Sequence, residues 1–354
     1  MSLIGVLIGL FSLSIIELII PLGFLGQVIK YLLVVLVLLT MINKKITYQT
    51  AIVSTILGII SVGYLYFPTS QLIIHFILLQ IILVLIVNLT SQLTSVQMQR
   101  IVSAYLSVII ALVFLKFLVA TNFIFNLNIS LLNSIFDLMG GGSISLGNGI
   151  HVPRITFGPE FIFLIVYLLL DKDKFRSNSV LASLLLSMSR SYLILIIAHN
   201  LIIKRKIFLT LIVGSIIIYF ITSSSLLELR DINEVDIRFA QWEIAKEVFL
   251  RNMFFGSPGD YMRLFLNGHP EYLSANISEC EFCQIISDCG LFFSTAIFVL
   301  PIYFIVKSLS VKWISIVYVY ILLAISALFN PVFSTFAYVS TIVVFSLSQR
   351  KDCK

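Results

Sequence analysis

The sequence predicts an all-α, polytopic integral membrane protein, and three observations carry that prediction. The 354-residue chain is 59% hydrophobic and 11% charged, with a mean hydropathy of +1.08, whereas soluble domains are about 45–50% apolar and about 25% charged. Its apolar residues form long runs, and most lysines and arginines lie in short clusters between those runs. Such clusters are typical of membrane topology. The net charge of +6 therefore does not indicate a nucleic-acid partner.

About twelve apolar segments are the predicted membrane helices, including a short hairpin. They are Leu3–Ile20, Leu25–Ile42, Ala51–Phe67, Leu72–Leu89, Ile101–Ala120, Phe157–Leu170, Val180–Ser187, Tyr192–Ile203, Phe208–Thr222, Gln284–Val306, Trp313–Phe329 and Val332–Leu347. A spanning helix needs about 20 residues, and Val180–Ser187 and Tyr192–Ile203 are too short alone. Residues 180–203 therefore form either one crossing or a hairpin of two short helices.

The basic clusters distinguish these two interpretations, because positive residues favour the cytoplasmic side. The clusters are Lys44–Lys45, Lys172 with Lys174 and Arg176, Lys204–Lys206, Lys307 with Lys312, and Arg350–Lys351 with Lys354. One crossing would separate Lys204–Lys206 from Lys172, whereas a hairpin keeps every cluster inside. Irregular backbone at membrane depth is tolerated where protein or a water-filled cavity surrounds it. We predict the hairpin, both termini cytoplasmic, and one membrane domain over residues 1–354.

Two loops then face outside, over residues 121–156 and 223–283. The second loop is the main polar interruption of the chain. It holds ten of the seventeen acidic residues, which are Glu228, Asp231, Glu234, Asp236, Glu243, Glu247, Asp260, Glu271, Glu279 and Glu281. Because backbone within the bilayer offers little chemical variety, we expect this large extracytoplasmic loop to be functional.

Arg190 is the first candidate site residue. It lies in the segment Ser187–Ser191, within the predicted hairpin. An arginine in an apolar setting is costly and marks a functional site by default. The alternatives are a structural ion pair or a side chain that reaches an interface. Its position in mid-hairpin among three serines favours a function.

The first outer loop predicts an anion-binding residue at Arg154. Glycines at 140–142, 147 and 149 precede it, and backbone N–H groups of glycine-rich turns can bind anionic oxygens. An arginine adds a bidentate charge. The glycines could equally form a flexible loop, and no Gly-Lys-Ser/Thr sequence follows that would indicate a nucleotide-binding P-loop.

The large loop predicts an amphipathic helix. Val235, Phe239, Trp242 and Phe249 recur near helical spacing. The helix should stop at Gly256, because a Ser-Pro-Gly turn follows. We expect its apolar face to lie on the outer membrane interface or on the helical bundle. Arg238, on the same helix, can point into the mouth of that bundle.

The end of the large loop holds two candidate general bases, His269 and Glu281. A lone loop histidine can also be merely solvated, whereas Glu281 adjoins a membrane helix. Cys280 and Cys283 could form a redox or metal pair, but we favour small apolar residues on a helix. The acids are scattered and no second cysteine pair is present, so we expect neither a metal nor a cofactor.

Four stretches together resemble the bacterial O-antigen polymerase and ligase family. They are Arg154 followed by Gly158-Pro159-Glu160; Ser187–Ser191; Arg238-x-x-x-Trp242 followed by Phe255-Gly256-x-Pro258-Gly259; and Glu281 followed by Cys289-Gly290-Leu291. They lie in the C-terminal two-thirds of the chain. Their order and topology, rather than any single motif, carry the resemblance.

The resemblance implies a glycosyltransferase on the outer face of the bacterial inner membrane. Its substrates would be oligosaccharide repeat units on undecaprenyl pyrophosphate, joined into O-antigen or capsular polysaccharide. Arg154, Arg190 and Arg238 would bind the pyrophosphate, and Glu281 or His269 would accept the proton of the attacking hydroxyl. The implied partners are the lipid-linked oligosaccharide, the lipid bilayer and a chain-length regulator protein.

Three alternatives stay open at this point. Ligases of the family typically carry a histidine motif close before a late membrane helix, whereas His269 lies further upstream, so the polymerase is favoured. A lipid-linked oligosaccharide flippase would usually have internal repeats and short outer loops. A peptidoglycan-type membrane glycosyltransferase would have its own loop motifs, which we do not find in the sequence.

Overall fold

The computed structural model of the protein describes residues 3–19, 32, 35–36, 39, 46–67, 71–138, 142–145, 151–155, 160–170, 173–187, 190–202, 232–268, 280–328, 332–333 and 335–350. The helices are α1 (Leu3–Ile19), α2 (Tyr48–Tyr64), α3 (Gln71–Ser91), α4 (Ser95–Ile124), α5 (Ser130–Leu138), α6 (Phe161–Leu169), α7 (Lys174–Leu186), α8 (Arg190–Ile202), α9 (Ile232–Arg251), α10 (Asp260–Gly268), α11 (Glu281–Leu309), α12 (Trp313–Ser326) and α13 (Phe336–Ser348). Two strands, β1 (Gly142–Ser145) and β2 (His151–Arg154), form an antiparallel ribbon.

Within the described residues, three helices are long and apolar enough to cross a membrane, judged by length and composition. They are α3, α4 and α11, with 21, 30 and 29 residues. Shorter apolar helices include α2, α12 and α13. The structure thus confirms a predominantly helical protein compatible with a membrane, and adds a β-ribbon that was not predicted from the sequence. The number of crossings stays a prediction.

Most predicted segments correspond to helices with shifted ends. Segment 101–120 lengthens into α4 because Thr94 and Gln97 form a reciprocal cap at its start: the Thr94 N–H donates to Gln97 Oε1 at 3.0 Å, and the Gln97 N–H donates to Thr94 Oγ1 at 3.4 Å. Segment 157–170 shortens to α6, with Glu160 at its N-cap. Segment 208–222 and most of segment 25–42 lie outside the described residues.

The described residues of this segment, 180–187 and 190–202, belong to two helices, α7 and α8, of 13 residues each, and to the C-cap of α7. The first ends at Leu186, where the Ser187 hydroxyl donates to the Leu184 carbonyl at 2.6 Å. Thirteen residues span only about 20 Å, less than the roughly 30 Å of a bilayer core. Two short helices, rather than one long helix, therefore occupy this segment.

The chain groups into two compact units. The first comprises Met1–Phe11, Lys30–Ser103 and Asp236–Lys354, and the second comprises Ser12–Ile29 and Ala104–Val235. In the first unit α3 packs against α2, α11 and α13. The Phe76 ring lies 5.3 Å from that of Phe298 and 5.0 Å from that of Phe333, and Gln80 Nε2 donates to the Tyr338 hydroxyl at 2.9 Å.

In the second unit α6 contacts both α7 and α8. The Tyr167 hydroxyl on α6 donates to Asn200 Oδ1 on α8 at 3.0 Å, and both residues are buried. Hydrogen bonds between buried polar side chains help to hold membrane helices together. The single membrane domain over residues 1–354 stays a prediction.

Candidate functional site

Arg154 ends strand β2, directly opposite Gly142 of β1. The glycine-rich first loop therefore contributes a paired strand. The next residue, Ile155, is buried, and its N–H donates to the Leu186 carbonyl at the end of α7, at 3.1 Å. Leu186 lies four residues before Arg190, which begins α8. The backbone segments that carry the two predicted phosphate-binding arginines are thus joined by a hydrogen bond.

The remaining predicted site residues are distributed along the first unit. Arg238 lies on α9, and His269 falls outside the described residues, directly after α10. The side chains of Arg154, Arg190 and Arg238 also lie outside the described part of the structure. For these arginines the structure therefore describes only the backbone. Arg154 and Arg190 belong to the second unit, and Arg238 belongs to the first.

The second unit contains a buried ion pair that was not predicted from the sequence. Lys116 Nζ on α4 is 3.2 Å from Glu160 Oε1, and the two side chains are 0% and 4% exposed. Lys116 Nζ also lies 5.4 Å from the centre of the Phe163 ring. Charges inside a membrane helix are costly unless paired. A lone lysine within the apolar run 101–120 was the signal that could have revealed the pair.

The large loop does contain the predicted helix, now α9, but its buried face differs from the prediction. The helix ends at Arg251, before Gly256. Phe239 is exposed, whereas Ala245 and Val248 are buried. Ala245 packs with Tyr261 of α10, next to Cys283 of α11. The loop helix therefore packs on α10 and on the start of α11.

Helix α11 is interrupted at Gly290, which has φ 63° and ψ −177°. Gly256, at the end of the turn after α9, has φ 75°. A Cβ atom on Gly290 would lie 2.7 Å from the Phe254 carbonyl and closer still to the Gly256 nitrogen. The Leu291 N–H donates to the Met253 carbonyl at 2.8 Å. Two of the motif segments that carry the family resemblance are therefore packed backbone against backbone.

Asp288 precedes this interruption and is fully buried. Its Oδ1 accepts a hydrogen bond from the Tyr261 N–H at 3.4 Å, and its carbonyl accepts one from the Tyr64 hydroxyl at 3.5 Å. The carboxylate thus holds the N-terminal turn of α10. Asp288 is the only acid within the apolar segment 284–306, and that isolation is the sequence signal that could have revealed its role.

Glu281 begins α11, and its carboxylate is buried. Oε2 accepts hydrogen bonds from the N–H groups of Val332 and Phe333 at 2.7 and 2.6 Å. Backbone bonds to an ionised carboxylate are strong, so Glu281 ties the segment between α12 and α13 to the start of α11. The role of Glu281 as general base stays a prediction. In that role, the hydrogen bonds from Val332 and Phe333 would have to weaken when Glu281 accepts the proton.

Cys280 and Cys283 form a disulfide at the start of α11. Our preference for two small apolar residues is therefore wrong, because spacing alone cannot tell a bonded pair from helical neighbours. Within the residues that the structure describes, no group of three histidine, cysteine or acidic residues could hold a metal ion.

Comparisons of the chain with protein-family models, with curated proteins and with solved structures find no match. Function is therefore inferred from the chain's own residues.

Proposed function

We propose that this protein is a membrane glycosyltransferase that polymerises undecaprenyl-pyrophosphate-linked oligosaccharides into O-antigen or capsular polysaccharide. The observation that carries the proposal is the 3.1 Å hydrogen bond between the Ile155 N–H and the Leu186 carbonyl. This bond holds together the backbone segments of Arg154 and Arg190. Two arginines near one point of a membrane protein suit a diphosphate, because each guanidinium can form two parallel hydrogen bonds to phosphate oxygens.

The proposed reaction follows from that chemistry. A sugar hydroxyl of one lipid-linked unit attacks the anomeric carbon of another, and the bond from that carbon to the phosphate oxygen breaks. The hydroxyl proton passes to a base, for which Glu281 and His269 are the candidates, and undecaprenyl pyrophosphate leaves. Arg154, Arg190 and Arg238 would stabilise the negative charge that develops on the leaving group.

The topology that accompanies this proposal has about twelve membrane segments, both termini cytoplasmic, and residues 223–283 on the outer side of the inner membrane. The positions of the basic clusters support it. The disulfide between Cys280 and Cys283 supports an oxidising environment at the end of the loop. Lipid-linked donors would then meet the site at the outer membrane surface.

The test is a polymerisation assay with purified protein in lipid nanodiscs and lipid-linked repeat units. A ladder of lengthening lipid-linked chains is expected, and Arg154→Lys, Arg190→Lys and Arg238→Lys should each remove most of it, since lysine lacks the bidentate fork. Arg251→Lys is the matched control, because Arg251 is exposed and ion-paired with Glu247 on α9.

If all three variants formed polysaccharide of normal length and in normal amount, the phosphate-binding role of the arginines would be refuted. Transfer of a single unit to another lipid acceptor, without lengthening, would identify a ligase instead.

A further inference from the structure

The turn between α9 and α10 exposes large apolar side chains within the polar loop over residues 223–283. Phe254 is 65% exposed and Phe255 is 58% exposed, and Met253 is also exposed. We call residues 252–256 the aromatic turn. Exposed contiguous apolar patches on proteins mark interaction surfaces.

The aromatic turn is attached to a membrane helix. The N–H groups of Leu291 and Phe292 donate to the carbonyls of Met253 and Phe254 at 2.8 and 2.9 Å. The Phe255 ring lies 6.0 Å from that of Phe292, which is itself 62% exposed. The exposed rings of the turn and of α11 therefore form one continuous surface.

The length of α11 sets the depth of this surface. After the interruption at Gly290, the helix continues from Leu291 to Leu309, about 28 Å at 1.5 Å per residue. That length matches the roughly 30 Å hydrocarbon core of a bilayer, and Lys307 at the far end is its only charged residue. The part of α11 before the break carries Glu281 and Asp288, which suit a position outside the core. Gly290 thus lies at the membrane boundary.

We propose that the aromatic turn, with Leu291 and Phe292, lies in the lipid interface and binds the bilayer surface. Phenylalanine and leucine side chains on an interfacial element bury their apolar parts at the boundary between headgroups and acyl chains. No charged residue occurs between Arg251 and Asp260, so the turn can enter this boundary without burying a charge. Its continuity with the spanning part of α11 favours lipid over a second protein as the occupant. This inference does not depend on the proposed glycosyltransferase activity.

Depth-dependent fluorescence quenching tests the proposal in the full-length protein. The chain has two tryptophans, Trp242 and Trp313, which are replaced by phenylalanine before Phe254→Trp is introduced. The protein is reconstituted in phosphatidylcholine vesicles with or without brominated acyl chains. We expect brominated lipid to remove most of the Trp emission, and aqueous acrylamide to have little effect. Phe255→Trp should behave in the same way.

The matched control is Phe239→Trp in the same background. Phe239 is similarly exposed, at 56%, but it lies on α9 beside the exposed residues Glu243, Lys246 and Glu247. Its emission should respond to acrylamide and not to brominated lipid. Quenching at Phe254→Trp by acrylamide as strong as in this control would overturn the proposal. Protection from both quenchers would overturn it too, because a protein surface would then cover the turn.

Discussion

Gly256 and Gly290 pack backbone against backbone, and both have positive φ angles, of 75° and 63°. No side chain fits at either position, because a Cβ on Gly256 would overlap the Asp288 carbonyl and a Cβ on Gly290 would overlap the Gly256 nitrogen. This backbone-to-backbone approach of the large loop to α11 therefore requires glycine on both segments.

Alanine at either glycine should destabilise the protein. The positive φ alone costs about 1–3 kcal/mol for a residue with a Cβ, and the overlap with backbone adds to that cost. We expect Gly256→Ala and Gly290→Ala to lower the midpoint of thermal unfolding in detergent. Gly58→Ala is the control, since nothing lies within 4 Å of a Cβ there and alanine favours a helix. Midpoints of both variants equal to that of Gly58→Ala would contradict the close packing.

The pair of Lys116 and Glu160 should show strong coupling in a double-mutant cycle. Either single change, Lys116→Met or Glu160→Leu, leaves one charge buried and should cost about 3–5 kcal/mol. The double variant should recover most of that loss, because no unpaired charge remains. Thermal unfolding measures all four members of the cycle. The exposed pair of Glu247 and Arg251 is the comparison, where coupling should be about 0–1 kcal/mol. Additive losses at Lys116 and Glu160 would show that the ion pair does not form.

Glu281→Gln should reduce polymer formation more than Glu279→Gln. Glu279 itself falls outside the described residues. If Glu281 is the base, the rate should fall by about 10²–10⁴-fold, and His269→Ala should have an intermediate effect. Because Glu281 also accepts bonds from Val332 and Phe333, the unfolding midpoint is measured beside the rate. A lowered midpoint with an unchanged rate at a permissive temperature would leave Glu281 only its structural role. Wild-type rates in both Glu281→Gln and His269→Ala would remove both candidates.

The large loop should be accessible to a membrane-impermeant reagent added outside the cell membrane. In a background with Cys289→Ala and Cys353→Ser, and with the disulfide intact, a membrane-impermeant maleimide should label Asn233→Cys in intact spheroplasts. Lys312→Cys, within a basic cluster and exposed, should be labelled only after permeabilisation. Labelling of Asn233→Cys from the cytoplasmic side alone would reverse the proposed topology.

Polymer formation should continue in chelator, because three arginines could neutralise the leaving pyrophosphate without a divalent ion. The assay with purified protein is run with and without EDTA, at constant ionic strength. A loss of activity that magnesium restores would replace the arginine-only mechanism with a metal-dependent one.

Much of the local helical structure could be predicted from the sequence. Helix α3 (Gln71–Ser91) differs by only one or two residues at each end from the predicted segment Leu72–Leu89. An apolar run of that length forms its backbone hydrogen bonds within the segment itself, as a bilayer requires. The end of α7 and the start of α8 on either side of the serine-rich segment could likewise be predicted from the local sequence. The β-ribbon was missed because β1 and β2 have only four residues each.

The composition of the chain by itself determined a predominantly helical protein compatible with a membrane, because the need to bury apolar surface and pair every backbone group acts at each residue. Only the tertiary structure decided which distant residues meet. Lys116 and Glu160 are 44 residues apart in sequence, and Glu281 and Val332 are 51 apart. Their hydrogen bonds depend on how whole helices pack, which neither periodicity nor spacing encodes. The meeting of Gly256 with Gly290 has the same cause, since it requires α9, α10 and α11 to be in place together.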